Sequence, residues 1–292
     1  MKPAPFEYHA PRSLDEVLGR LAQAGGDAKL LAGGQSLVPM LNMRLARPAI
    51  LIDLGRVRSL DYVNESAGHV AIGALTRQRA AEQSATVQRH APLLAQALPW
   101  IAHPTIRNRG TVGGSLAHAD PAAELPAVAA ALDADLIVAG PKGHRTTKAD
   151  TFFVSYLTTS LAPDEVLVEL RLPRPGPTTR VAFTEFSRRH GDFAIVGVAA
   201  ALEVDEARTC RSARLALFGV GPGPVRARAA ERVLTGQALA DAVITEAAES
   251  AAKEIDPHGD LHASAHYRRR LAAVLVEDAL RQAGAPGAGE GR

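Results

Sequence analysis

Two short stretches of this 292-residue chain have the composition of a phosphate cradle. One is Leu30-Leu31-Ala32-Gly33-Gly34-Gln35-Ser36-Leu37, the other Thr111-Val112-Gly113-Gly114-Ser115-Leu116. Each carries a glycine pair followed by a polar residue and then an apolar one, after a run that reads as a strand or a turn. Phosphate binding needs several N–H groups aimed at one point. Paired glycines let the backbone adopt positive φ and approach the ligand closely. Gln35 and Ser115 add possible side-chain donors, and a helix starting at either loop adds its N-terminal partial charge. A lone Gly-Gly is also a common tight turn, so the weight rests on the repetition. Neither stretch has the Lys-Ser/Thr of a P-loop or the spacing of a dinucleotide-binding G-x-G-x-x-G. The expected ligand is therefore a nucleotide diphosphate held in a different way, with both loops facing it, and a side chain at Gly114 is expected to fall in the diphosphate's space.

Other polar residues read less specifically. His103 precedes a proline and reads as a turn cap, and His190 as a surface residue before a turn. Asp120-Pro121 reads as the cap of a following helix. Asp53 closes an apolar strand, where it binds either loop backbone or ligand. Arg107 and Arg109 are open to the diphosphate or to a partner chain; the partner is favoured, because glycine amides already supply donors.

The elements that must position these loops follow from the pattern. A strand near residues 6–10 precedes Ser13, which with Glu16 forms a capping box for a helix carrying Leu14, Val17, Leu18 and Leu21 on one face, ended by Gly25-Gly26. A short strand over 28–32 enters the first loop, a helical stretch interrupted by Pro39 follows over 37–45, and the wholly apolar strand 48–54 reads as central and parallel. Paired strands over 60–64 and 69–72 come next. Thr76 reads as an N-cap, 92–98 and 122–132 as helical, 136–139 as a strand, and 165–172 as a half-exposed strand of alternating character. Pro173-Arg174-Pro175-Gly176-Pro177 is the strongest break. Beyond it lie three antiparallel strands (180–188, 194–204, 213–220) and helices near 225–234, 238–254 and 264–282.

Composition bounds the function. Hydrophobic residues make up 47% and net charge is +2, from 33 basic and 31 acidic residues, so no field calls for nucleic acid. The single cysteine, Cys210, cannot build a disulfide or a cysteine-ligated iron–sulfur centre within the chain. No apolar run reaches transmembrane length and the first residues lack a signal-peptide pattern, so a cytoplasmic location is expected, with membrane association only through partners.

The chain resembles the flavin-binding medium subunit of molybdenum hydroxylases, the carbon monoxide dehydrogenase and xanthine dehydrogenase type. The likeness covers essentially the whole chain. It rests on Lys29-Leu30-Leu31-Ala32-Gly33-Gly34-Gln35-Ser36-Leu37-Val38-Pro39, on Ile50-Leu51-Ile52-Asp53-Leu54, on Ile72-Gly73-Ala74-Leu75-Thr76, and on the long Ile106-Arg107-Asn108-Arg109-Gly110-Thr111-Val112-Gly113-Gly114-Ser115-Leu116-Ala117-His118-Ala119-Asp120-Pro121, with His190-Gly191-Asp192-Phe193-Ala194 near the end. The resemblance implies an α+β fold with a two-lobed, PCMH-type FAD domain: a small α/β lobe over 1–57 and a mixed or antiparallel lobe over 58–175. A C-terminal domain of three antiparallel strands with helices would follow over 178–283; beyond it, the Gly/Ala-rich composition of 284–292 reads as a disordered tail. It implies that Lys29 with residues 30–37, and Thr111, Val112, Gly113, Gly114 and Ser115, wrap the FAD diphosphate. Glu124 falls where the family binds flavin hydroxyls and Ile101 where an apolar side chain meets the isoalloxazine; Leu167 or Val168 lines the same cavity. Phe193 stands where many relatives have Tyr beside the ring. His118 lies in the motif near the cofactor. A Lys that some relatives carry near Thr184 or Glu185 is missing here.

By the same resemblance, the chain is an electron-transfer subunit of a heterotrimer, an (αβγ)2 assembly. A large subunit would carry molybdopterin cytosine dinucleotide and a small one two [2Fe–2S] clusters, with electrons leaving FAD to a quinone, NAD or oxygen. No residue of this chain need be a catalytic acid or base. The competing readings are a stand-alone FAD-dependent oxidoreductase acting on a small substrate, and an assembly module with a decayed flavin site; the intact glycines of both loops speak against the second.

Overall fold

The computed structural model describes residues 1–285. The first lobe runs β1 (Glu7–His9), α1 (Leu14–Ala24), β2 (Ala28–Leu31), α2 (Leu37–Asn42) and β3 (Ile50–Asp53). Its sheet has the order β1-β3-β2 with both pairings parallel, so the apolar strand β3 is central. Ser13 Oγ accepts the Glu16 N–H at 3.2 Å, while the Glu16 carboxylate accepts the N–H of Arg12, one residue before the position a capping box would use. Pro39 sits in the first turn of α2, where a missing N–H does no harm, so it opens the helix instead of interrupting it. Asp53 is engaged within the chain: Oδ1 accepts the Gly55 backbone N–H at 2.8 Å, and Oδ2 accepts the Tyr8 side-chain hydroxyl at 2.6 Å.

The second lobe contains β4 (Val63–Ser66), β5 (His69–Gly73), α3 (Gln78–Gln83), α4 (Ala85–His90), α5 (Pro92–Ala97), α6 (Pro104–Arg107), α7 (Val112–His118), α8 (Glu124–Ala131), β6 (Asp135–Gly140), β7 (Gly143–Lys148), α9 (Ala149–Phe152), β8 (Phe153–Ser155), β9 (Thr158–Thr159) and β10 (Val166–Pro173). Five of its strands form an antiparallel sheet in the order β4-β5-β10-β6-β7. The alternation in β10 suggests a half-exposed strand, yet β10 is central and mostly buried. The reason is that both sheet faces are covered. Leu167, Leu170 and Leu172 join the core with α5 and α8, whereas Val166 and Val168 pack with Val17, Leu21 and Ile52 of the first lobe. Thr76 does not cap α3. Its hydroxyl donates to the Tyr62 carbonyl at 2.8 Å and accepts the Tyr62 N–H at 3.1 Å, leaving Arg77 as the cap residue.

The C-terminal part follows as β11 (Thr179–Phe186), β12 (Val196–Val204), β13 (Cys210–Phe218), β14 (Val225–Arg226), α10 (Arg228–Leu234), α11 (Asp241–Glu254) and α12 (Ala265–Gly284). The three expected strands are joined by the two-residue β14 in a four-stranded antiparallel sheet. One sheet face, with Val198, Leu202 and Leu215, packs on α10, α11 and α12. The other carries Phe183, Ala199, Ala201, Ala216 and Phe218, and shares one core with Leu93, Leu98 and Val128 of the second lobe. Small alanines on that face let α5 and α8 come close. Cys210 is fully buried; its thiol donates to the Ser212 carbonyl and burial pushes its pKa up to about 11, which suits packing and not reactivity. Gly284, expected to begin a disordered tail, is the last residue of α12, and 286–292 lie outside the described residues. Among the described residues no helix is long and apolar enough to cross a membrane.

Candidate functional site

The two glycine stretches, 80 positions apart in the chain at about the scale of half a domain, meet in space. The first links β2 to α2 and the second begins α7. A Cβ placed on Gly33 would lie 2.4 Å from the Arg109 carbonyl oxygen and 2.8 Å from the Gly110 Cα, so the first loop rests directly on the approach to the second. A Cβ on Gly114 would come within 3.5 Å of the Ala32 methyl. Gly113 is pressed against Ala74, at the end of β5, with 2.4 Å between its Cβ position and the Ala74 Cβ. Ala74 in turn donates its N–H to Val168, where a register shift bulges β10 against β6. Bulges of this kind recur beside functional sites because they re-aim the chain.

The backbone donors of the two loops are used differently. Among the described residues, the amides of Gly33, Gly34, Gln35 and Ser36 make no hydrogen bond to protein acceptors. The second loop has none to spare. Val112 N–H donates to the Thr76 carbonyl, Gly113 N–H to the Ala74 carbonyl, Gly114 N–H to Thr111 Oγ1 at 3.0 Å, and Ser115 N–H to the Thr111 carbonyl. Thr111 is the N-cap of α7, and the glycine pair is the first turn of that helix. A side chain at Gly114 would first strike Thr111 Oγ1, at 2.6 Å. Gln35 Nε2 turns back to donate to the Gly33 carbonyl at 3.0 Å. Ser36 is exposed and makes no side-chain capping bond. Lys29 is exposed on the edge strand β2, while Leu30 and Ala32 pack on the first-lobe core.

Arg107 is bound within the chain. Its guanidinium is buried, donates twice to Glu82 at 2.9 and 3.2 Å, and donates to the carbonyls of Ile101 at 2.8 Å and Ala102 at 3.1 Å. It thereby holds the turn that carries Ile101, itself buried in the main core beside Val112 and Leu116. Arg109 remains exposed. His103 packs against Gly191, and the His190 ring lies 5.9 Å from that of Trp100. Phe193 is 74% exposed. Leu167 and Val168 pack into different core clusters, on opposite faces of β10.

Glu124 is the first residue of α8 and is buried. Asp120 does not cap α8; its Oδ1 accepts the Ala122 N–H at 2.9 Å and forms a turn just ahead of the helix. Burial pushes the Glu124 carboxyl up to about 7, and the nearby Asp120 charge acts in the same direction. Glu185, on β11, is raised further, to about 9, by burial and then by the charge of Glu124. Nothing in the spacing of residues 61 apart on different elements marks this electrostatic influence in the sequence.

Residues 4–175 match the FAD binding domain in molybdopterin dehydrogenase, and residues 181–283 the CO dehydrogenase flavoprotein C-terminal domain. The chain is 44% identical over 283 residues to the 6-hydroxypseudooxynicotine dehydrogenase complex subunit alpha of Paenarthrobacter nicotinovorans, covering 97% of this chain and 96% of that protein. It is 40% identical to the carbon monoxide dehydrogenase medium chain of Hydrogenophaga pseudoflava, with 97% and 98% covered. Among solved structures, the carbon monoxide dehydrogenase of Hydrogenophaga pseudoflava superposes with a TM-score of 0.95 at 41% identity, covering 97% of this chain and 98% of that one. Quinoline 2-oxidoreductase from Pseudomonas putida 86 superposes at 0.93 and 38% identity, with the same shares covered. The chain belongs to the family of FAD-binding flavoprotein subunits of molybdopterin dehydrogenases, and is the flavoprotein component of an oxidoreductase of that kind.

Proposed function

We propose that this chain holds FAD across the seam between its two glycine loops, as the electron-transfer subunit of a molybdenum hydroxylase. The observation that carries the reading is the set of unpaired amides at Gly33, Gly34, Gln35 and Ser36, leading into α2 and lying against the second loop. Such a cluster fits a diphosphate, because each amide left without an acceptor gains a charge-assisted hydrogen bond. The second loop supplies close approach, with its own amides already engaged. Glu124 fits as the buried acceptor for a ribityl or ribose hydroxyl, and Ile101 and Phe193 fit as apolar neighbours of the ring. Bound there, FAD would supply exchange between one-electron donors and a two-electron external acceptor, a quinone, NAD or oxygen.

This chain's residues bind and orient; no acid–base step is assigned to them. With one cysteine, the [2Fe–2S] clusters belong on a small partner chain and molybdopterin cytosine dinucleotide on a large one, in an (αβγ)2 assembly. The relatives named above are, by name, subunits of dehydrogenases, one of them explicitly of a complex, which supports the partnership. The substrate would then be chosen on the large chain.

Purification of the tagged full chain from its own cells tests the proposal. The expected result is a large and a small chain retained together with flavin, molybdenum and iron. A yellow single chain that reduces a small substrate unaided would overturn it in favour of the stand-alone oxidoreductase.

A further inference from the structure

The first loop offers four open amides, yet a diphosphate carries negative charge that neutral amide donors do not cancel. The residues joining β5 to α3 are laced to the second loop. Val112 N–H donates to the Thr76 carbonyl at 3.0 Å, Gly113 N–H to the Ala74 carbonyl at 2.9 Å, and Gln78 N–H to the Gly110 carbonyl at 2.9 Å. Among these bonds Arg77 and Thr111 oppose each other in an isolated antiparallel bridge. Residues opposed in this way present their side chains to one face. On that face Thr111 Oγ1 accepts the Gly114 N–H, and the Gly114 Cβ position lies 3.5 Å from the Ala32 methyl of the first loop. Arg77 takes the same direction. Its Nη1 donates to the Arg109 carbonyl, and that same oxygen stands where a Gly33 side chain would. One carbonyl therefore separates the guanidinium from the backbone of the first loop. Nε and Nη2 of Arg77 have no acceptor among the described residues, and no carboxylate there pairs with it. The other cations nearby are placed differently. Arg107 and Arg79 both bind Glu82, Lys29 is exposed on the edge strand β2, and Arg109 turns its carbonyl to the loop while remaining exposed.

We infer that Arg77 is the cation of the cofactor site: Nη1 fixes the Arg109 carbonyl against Gly33, and Nε and Nη2 are left to donate to a phosphate oxygen of the diphosphate held on the open amides. This rests on the FAD placement proposed above. A guanidinium suits both tasks at once, because its N–H donors spread in one plane and its charge is permanent. The Arg77 side chain then ties the two loops together and balances charge where the amides alone only donate. Attraction between full charges at a half-exposed site is screened by salt. The salt dependence of FAD binding is therefore the signature of Arg77, and a residue that merely held the Arg109 carbonyl would leave it unchanged.

The test titrates FAD into the cofactor-free full chain, read by flavin fluorescence quenching at low and at high ionic strength, beside the unfolding temperature without FAD. Arg77→Gln keeps an N–H able to hold the Arg109 carbonyl and removes the charge. It is expected to weaken FAD binding by roughly 10- to 100-fold at low salt, the range of a charge-assisted hydrogen bond, and by less at high salt, with an unfolding temperature close to wild type. Arg77→Lys restores the charge without the planar fork and is expected to fall between the two. Arg109→Gln is expected to lose less than Arg77→Gln. The inference is overturned if Arg77→Gln binds FAD as wild type does, if its loss is equal at both ionic strengths, if Arg77→Lys binds no better than Arg77→Gln, or if Arg109→Gln loses more. Ser36→Asp separates the premise from the inference. Unchanged FAD affinity in that variant would remove the placement itself, whereas a loss there beside wild-type binding in Arg77→Gln would remove only the role of Arg77.

Discussion

The two glycine loops look alike as strings and differ as structures. In the first, Gly33, Gly34, Gln35 and Ser36 keep their amides unpaired, and the glycine at 33 is required because the Arg109 carbonyl occupies the place of a side chain. In the second, every amide from 112 to 115 already has an acceptor inside the protein, and the glycines exist so that α7 can begin against Ala74 and beneath its own threonine cap. The same dipeptide therefore does two jobs: one loop presents donors, and the other brings a helix start close to it. A Gly-Gly pair read as a phosphate loop identifies backbone permissiveness, which close packing and ligand binding both need.

Placing the same charge in each loop separates the two roles most sharply. An aspartate at 36 would stand among the free amides. Two unit charges about 4 Å apart near a protein surface repel by roughly 4 kcal/mol before screening, so Ser36→Asp is expected to weaken FAD binding roughly 100-fold. Its fold should hold, because Asp is a preferred N-cap and sits at the favourable end of α2. Ser115→Asp, in the loop whose amides are already engaged, is expected to weaken binding about tenfold or less at the same dielectric. Titration of the two purified variants with FAD, beside their unfolding temperatures, reads both; equal losses would erase the distinction.

Gly113→Ala comes next and acts on stability. Its Cβ would sit 2.4 Å from the Ala74 Cβ and 2.7 Å from the Ala74 Cα, which is backbone that cannot swing aside. Overpacking of this kind costs about 1–3 kcal/mol, read as a lower denaturation midpoint in the FAD-free chain. The smallest effect expected is that of Thr111→Val, which keeps the shape of the cap and removes its acceptor from the Gly114 N–H, a loss of about 1 kcal/mol. If Thr111→Val abolished FAD binding while leaving the unfolding midpoint unchanged, the second loop would be a donor loop after all.

Much of the scaffold was legible from local pattern. The apolar run at 50–53 reads as a central parallel strand because a strand covered on both faces has no solvent side to mark. Ser13 reads as a helix start because capping is a contact within four residues. Pattern misled where the covering came from far away. The alternating charges of β10 suggest exposure, but Glu169 takes the Tyr62 hydroxyl and pairs with Arg171, so its polar positions are satisfied inside a central strand. Arg107 reads as a cofactor or partner contact, and its acceptors turn out to be Glu82 and the turn that ends at Ala102.

The sequence alone determined what depends on residue type and short spacing: two sites of backbone permissiveness, the order of elements around them, and a cysteine count too low for a cysteine-ligated iron–sulfur centre within the chain. Only the tertiary structure decided which amides remain free and which acid is buried without a partner. The Gly113 amide is closed by the Ala74 carbonyl while no protein acceptor reaches that of Gly33, and Glu185 is buried without a partner for its Oε2 because of how β11 lies against the second lobe. Hydrogen bonding and charge burial act between neighbours in space, and no chain spacing encodes that adjacency when the neighbours come from separate elements.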